Sequence, residues 1–260
     1  MSVRKAAVAG QFYEADKASL QQHINALMSQ ATGECGVAPR ALIVPHAGYI
    51  YSGATAAKAY RCLQSCRDEI RRVALFGPAH RVFLQGMALP SVDEFATPLG
   101  QVPLDKEIID QIINLPGVSV SDLAHRDEHS LEVQIPFLQT LLSKFTLVPV
   151  VVGDCDTSTV AAVIDELSGD ADTLIVISSD LSHFHAYEEA RQIDENTCSR
   201  ILAKSSSLSG EEACGARALN GLMRSEHVKS LNIELLDNCN SGDSVGDRGR
   251  VVGYGAFLLH

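Results

Sequence analysis

The strongest pattern along the chain is a set of short, unbroken apolar runs separated by segments of helical period. Four of them, "RALIVP" (40–45), "RVALFG" (72–77), "FTLVPVVVG" (145–153) and "DTLIVISSD" (172–180), show no polar alternation. An alternating strand has one wet face, whereas an unbroken run fits a strand covered on both faces, as in a largely parallel sheet. Leu20, Ile24, Leu27 and Met28 share one face of a helix predicted over 16–30. Further helices are predicted over 54–64, 105–114, 157–168, 186–204 and 209–224. Thr157 or Ser158 offers a cap for the fourth helix. Near the end, "SLNIELL" and "RVVGYGAFLL" read as strands flanking the glycine-rich turn "NSGDSVGDRG". This succession predicts an α/β fold, a central mostly parallel or mixed sheet with helices on both faces. No repeat, low-complexity tract or linker interrupts it, so residues 1–260 are expected to form a single domain.

Composition adds exclusions. Hydrophobic residues make up 46% and charged residues 20%, enough for a sizeable core. The formal net charge of -11 argues against nucleic acid or an anionic membrane as a partner, since both need a basic surface. The longest apolar stretches, such as Val148 to Val152, fit buried strands rather than membrane spans. The opening "MSVRKAAVAGQFYEAD" is broken by Gly10 and Gln11, which argues against a leader and leaves the cytoplasm as the expected setting. Seven cysteines at irregular spacing do not form a disulfide framework, and Cys62 and Cys66 read as two buried thiols one helical turn apart.

In open α/β sheets, ligands bind outside the carboxyl ends of the strands. Three predicted strands end on chemistry: "IVPHAGYIYSG" places His46 there, "RVALFGPAH" places His80, and "LIVISSDLSHFH" places Asp180 and His183. Imidazoles from separate strands suit a transition metal, because a neutral ring nitrogen is a good donor to iron, copper, zinc or nickel. A lone histidine in such a place would be structural; three together favour a metal site. The third ligand stays open on spacing alone. "RDEHSLEVQIPFL" offers His129 and Glu132 on one face, and "EEACGARALNGLM" offers Cys214, where the start of a helix would favour thiolate. "GDCDTS" offers Asp154, Cys155 and Asp156, which read more readily as a solvated loop and helix cap. Asp243 and Asp247 in "GDSVGD" are ordinary turn residues. Phosphate-binding glycine loops, nucleophile elbows, zinc-protease motifs and calcium loops are all missing, so no nucleotide cofactor is expected.

The motifs "PHAGYIYSG", "GPAH", "EHSLEVQIPFL", "SSDLSHF" and "CGARALNGLM", in this order, resemble the Memo family, whose microbial members are called AmmeMemoRadiSam system protein B. "AGQFYEAD" and "SGDSVGDRGRVVGYGAFLL" extend the resemblance over nearly the whole chain. It implies a fold similar to that of class III extradiol (LigB-like) dioxygenases, which hold non-haem Fe(II). It implies that His46, His80 and Cys214 hold the metal, with His183 as a proton-transfer residue. The softness of a thiolate ligand suits Fe(II) or Cu(I), and Asp180 is expected to orient a histidine or the substrate. His129 and Glu132 fall in a family segment near the cleft; Tyr13 and Tyr49 are candidate cleft walls for an unknown small-molecule substrate, with packing in the core the commoner role for each. The family name also implies an AMMECR1-like protein and a radical SAM protein as partners. A cysteine stands where the related dioxygenases offer a carboxylate, so two readings stay open: a redox metalloenzyme, or a metal-binding carrier or partner-binding protein.

Overall fold

The computed structural model of the chain describes residues 1–32, 35–244 and 246–260; Val245 of the glycine-rich turn lies outside the described residues. Its strands are β1 (Val3–Arg4), β2 (Ala41–Val44), β3 (Arg72–Pro78), β4 (Met87–Leu89), β5 (Glu94–Thr97), β6 (Gly100–Pro103), β7 (Val118–Val120), β8 (Thr146–Val152), β9 (Thr173–Ser178), β10 (His183–His185), β11 (Ile233–Asn240) and β12 (Val251–Leu259). The four apolar runs become β2, β9, β3 and β8, lying side by side and all parallel. Every residue of β2 and β9 is buried, the outcome expected of strands without alternation. β12 pairs antiparallel with β2, and β10 and β11 each pair antiparallel with β12 as well. On the opposite flank β4 pairs antiparallel with β8, and β7 follows as the edge. A small separate sheet joins β1, β5 and β6.

The longer helices are α1 (Lys17–Gln30), α2 (Tyr49–Arg61), α3 (Lys106–Ile112), α4 (Asp122–Arg126), α5 (Ile135–Leu141), α6 (Thr157–Leu167), α7 (Tyr187–Leu202) and α8 (Ala216–Arg224). Asp16 caps α1 by accepting from the Ser19 amide, and Leu20, Ile24 and Met28 are its buried residues. The cap position of α6 is Asp156, just ahead of the expected Thr157. Two helices depart from their predicted starts. α2 begins at Tyr49 instead of 54, because Tyr49, Ser52 and Gly53 are buried and packing overrides their weak helical propensity. α8 begins at Ala216 instead of 209, with residues 209–215 forming turns. No helix among the described residues is long and apolar enough to cross a membrane.

One cysteine departs from expectation. Cys62 is bonded to Cys35, which the loop before β2 carries back over the end of α2, while Cys66 is a buried thiol as expected. Sequence spacing holds no trace of this pairing, because the contact is made by the loop's path.

The parallel block points all four of its carboxyl ends the same way, which places residues 45–47, 79–80, 153–154 and 179–180 along one edge. A second segment, 128–134, crosses that edge. Gly77 admits it: a Cβ there would lie 2.7 Å from Ser130 Oγ and 2.9 Å from a Leu131 methyl.

Candidate metal centre

His46 leaves β2 directly after Pro45, and its ring is buried. Its Nδ1 lies 3.0 Å from Ser178 Oγ. That hydroxyl donates its single proton to the Ser130 carbonyl at 2.6 Å and accepts from Gln134 Nε2 at 2.8 Å. The ring nitrogen must therefore be the donor, so His46 is protonated at Nδ1 and its lone pair sits on Nε2. His80 is locked in the same sense. Its amide donates to Glu128 Oε2 at 2.6 Å, and its Nδ1 lies 3.0 Å from Glu128 Oε1. Two histidines from two strands thus each commit Nδ1 to the protein and keep Nε2 for something else, the usual arrangement around metal-bound histidine.

A third ring joins them. His129 stacks on His80 with centroids 4.7 Å apart and meets His46 at 5.4 Å. One nitrogen of each of His46, His80 and His129 falls within 4.8 Å of the others. His129 Nδ1 is buried without a hydrogen-bond partner, 3.3 Å from Glu128 Oε1. Burial, then the neighbouring rings, hold His46 well below the ordinary histidine range. Burial likewise takes His129 down to about 4 against the pull of Glu128. Neutral lone-pair donors converging at one point fit a transition metal ion.

Cys214 reaches the same place from the far side. Its Sγ lies 3.3 Å from His46 Nε2 and accepts from the Asp180 amide at 3.3 Å. Gly215 permits this approach, since a Cβ there would lie 2.7 Å from Ser179 Cβ. The thiolate expected from the helix dipole is corrected here. Burial, then the Asp180 carboxylate, raise the Cys214 thiol far above its usual range, and α8 begins two residues beyond it. A coordinated metal, not the helix, would have to displace that proton.

Asp180 Oδ1 accepts from the His46 amide at 2.7 Å, while Oδ2 is 4.0 Å from His46 Nε2. Burial pushes this carboxyl up to about 7, against the opposing hydrogen bond from His46. His183, at the start of β10, is lowered by burial. Asp180, His183 and His129 line one cleft of about 430 Å³, walled by Phe12, Tyr51 and Tyr254.

Glu132 and Tyr13, expected near the substrate, are placed in an internal network. Glu132 pairs with the Arg4 guanidinium and accepts from the Ala7 amide at 2.8 Å, the Val8 amide at 3.0 Å and the Tyr13 hydroxyl at 2.5 Å. Tyr49 is buried and donates to the Val133 carbonyl at 2.7 Å. Asp154 pairs with Arg217, Cys155 is buried, and Asp243 and Asp247 accept from backbone amides of their own turn. The residues that sequence reasoning passed over are Glu128, Ser178, Gln134, Tyr51 and Tyr254. Only Glu128 left a signal, as an acid beside His129.

Glu128 is the most telling of these. It accepts from the amides of His80, His129 and Ser130 as well as the His80 ring. Burial raises it, but the hydrogen bonds from the His80 ring and amide and from the Ser130 amide outweigh that and bring it to about 2. Glu128→Gln keeps the shape and removes the charge that orients His80. Its affinity for Fe(II) or Cu(I) is expected to fall about 10- to 100-fold. Anaerobic metal titration checks this, and unchanged affinity would deny Glu128 its role.

Comparison with known proteins agrees over the full length. Residues 4–258 match the family model described as Memo-like protein. A MEMO1 family protein of Aquifex aeolicus is 36% identical over 271 residues, covering 98% of each chain. One from Archaeoglobus fulgidus is 35% identical, covering 99% of each. The structure of an uncharacterized protein from Escherichia coli K12 shares the fold, with TM-score 0.54 and 13% identity over 84% of this chain and 98% of that one. A match spanning both ends, on the chain that gathers these histidines, settles descent: this protein belongs to the Memo family.

Proposed function

We propose that this chain is a metal-dependent redox protein, an iron or copper enzyme of dioxygenase-like build that acts on a small molecule. The observation that carries the reading is the matched commitment of Nδ1 in His46 and His80, which leaves Nε2 of both rings for a ligand within a cluster where one nitrogen each of His46, His80 and His129 lies within 4.8 Å of the others. His46 and His80 would hold the metal, with Cys214 or His129 completing the set. Iron or copper bound there would supply redox chemistry and polarise a substrate oxygen. The chain's own residues do the rest. Asp180 holds the His46 backbone through its amide, and His183 faces the cleft as a neutral base able to take a proton from bound substrate. Phe12, Tyr51 and Tyr254 wall the space beside them. A cytoplasmic setting is part of this proposal, as is a shared pathway with an AMMECR1-like protein and a radical SAM protein.

The second reading is a carrier or partner-binding protein, favoured by one specific observation: a soft thiol 3.3 Å from His46 Nε2 suits Cu(I) retention without turnover. His183→Gln separates the two. The variant is expected to keep near-native metal content and to lose about 10²- to 10⁴-fold in rate, the usual share of a positioned general base. Metal content is read by elemental analysis after anaerobic purification, and rate by oxygen uptake across catechols and related phenols. Loss of metal would move His183 into the coordination sphere. Metal-loaded wild type with no turnover would favour the carrier.

A further inference from the structure

The cleft mouth carries two features that the metal centre does not explain. The first is Phe184, between His183 and His185 on β10. It has φ of 66°, a left-handed backbone that a phenylalanine seldom adopts, and the residue is 62% exposed. The pairing of β10 with β12 slips at this point: His183 faces Val252 while His185 faces Val251. This is a bulge, which turns a strand and re-aims its side chains, and such backbone strain persists where surrounding structure imposes it. The second feature is Arg250, which lines the same cleft as Asp180 and His183. Its guanidinium lies over the Phe184 ring, 4.9 Å from the centroid. Among the described residues it makes no ion pair, in a chain whose formal net charge is -11. Asp247 also lines the cleft, but it accepts from the Gly249 amide and forms no salt bridge with Arg250.

We propose that Phe184 and Arg250 together form an anion-recognition element at the cleft mouth, so that the substrate is a small organic anion carrying a carboxylate or phosphoryl group. This rests on reading the cleft as the substrate's place. An aromatic face beneath a guanidinium restricts its motion while leaving its N–H edge available. That edge is a planar fork matched to a carboxylate or phosphate. The bulge supplies the ring, Arg250 supplies the charge, and the substrate's reacting end points inward toward Asp180, His183 and His129. The ordering cost of the guanidinium is met by the fold before any ligand arrives.

The test uses the full chain and three probes of similar bulk: benzoate, phenyl phosphate and neutral benzyl alcohol, titrated by NMR into wild type, Arg250→Gln, Arg250→Lys and Phe184→Gly. Wild type is expected to bind at least one anion about tenfold more tightly than the alcohol, the scale of a charge-assisted pair. Preference for benzoate or for phenyl phosphate distinguishes a carboxylate substrate from a phosphoryl one. Arg250→Gln is expected to abolish the preference, and Arg250→Lys to restore only part of it. Phe184→Gly relieves the left-handed backbone, so it is expected to raise or preserve the melting temperature while weakening anion binding, a combination that a merely structural role would not give. Wild type without anion preference, including no binding of any probe, overturns the proposal. So does an undiminished preference in Arg250→Gln. Fe(II) titration of the same samples is read separately: metal binding without anion preference sinks this inference alone, and Arg250-dependent anion binding without metal sinks the proposed function alone.

Discussion

His46→Ala and His80→Ala are each expected to lower affinity for Fe(II) and Cu(I) by more than about 100-fold, beyond the range of residues that only orient a ligand. Each removes a nitrogen that the fold has already aimed: Ser178 fixes one ring and Glu128 the other. An incomplete site loses a donor and its geometry together, and the surrounding groups cannot substitute. Glu128 is saturated by amides and Asp180 already accepts from the His46 amide. Anaerobic titration measures the loss, with thermal melts to confirm that the variants fold. The same experiment settles the third ligand. A large loss in Cys214→Ala with little in His129→Ala selects the thiol; the reverse selects the three-nitrogen set. Wild-type affinity in both His46→Ala and His80→Ala would end the metal reading.

The second large effect concerns stability. Glu132→Ala is expected to cost about 3–5 kcal/mol, because it leaves the buried Arg4 guanidinium unpaired. It also strips an acceptor from two backbone amides and the Tyr13 hydroxyl. At about 2–4 °C per kcal/mol for a chain near this size, the melting temperature should drop by roughly 10 °C. Removing both charges with Arg4→Met and Glu132→Leu should recover part of that loss, since no buried charge is then left alone. A melting temperature within about 2 °C of wild type in Glu132→Ala would show that this network does not hold the N-terminal segment. The network matters to the cleft because it fixes the stretch that ends in Phe12, whose ring lies 4.6 Å from His129.

The parts of the molecule legible in the sequence are those governed by local rules. β2, β3, β8 and β9 could be read because burial on both faces demands an unbroken apolar run. His46, His80 and Asp180 followed from them, since parallel strands bring their carboxyl ends to one edge. The small sheet of β1, β5 and β6 was not legible, because strands of two to four residues carry too little pattern to rise above loops. Glu128 and Ser178 escaped for a different reason. Each is an ordinary polar residue until Gly77 lets the segment around Ser130 cross the strand ends. Glu132 misled in the opposite direction. A carboxylate near His129 looked like active-site chemistry, and its place beside Arg4 depends on a partner more than a hundred positions away. The pKa of Cys214 was misjudged because a helix dipole acts locally, whereas desolvation depends on everything packed around the thiol.

The place of β2 in the sheet also governs when the centre can come into existence. The strand that delivers His46 lies between β9 and β12, and β12 is far downstream of both in sequence. During synthesis residues 41–44 would therefore wait, one edge unpaired, until residues 251–259 have left the ribosome. Contacts of such long sequence separation form late, because the loop entropy they close is lost before any contact is gained. The cleft wall follows the same schedule, since Arg250, Val252 and Tyr254 lie on or beside β12. Any metal held at His46 would then be bound in its final geometry only after residues 251–259 have joined the sheet.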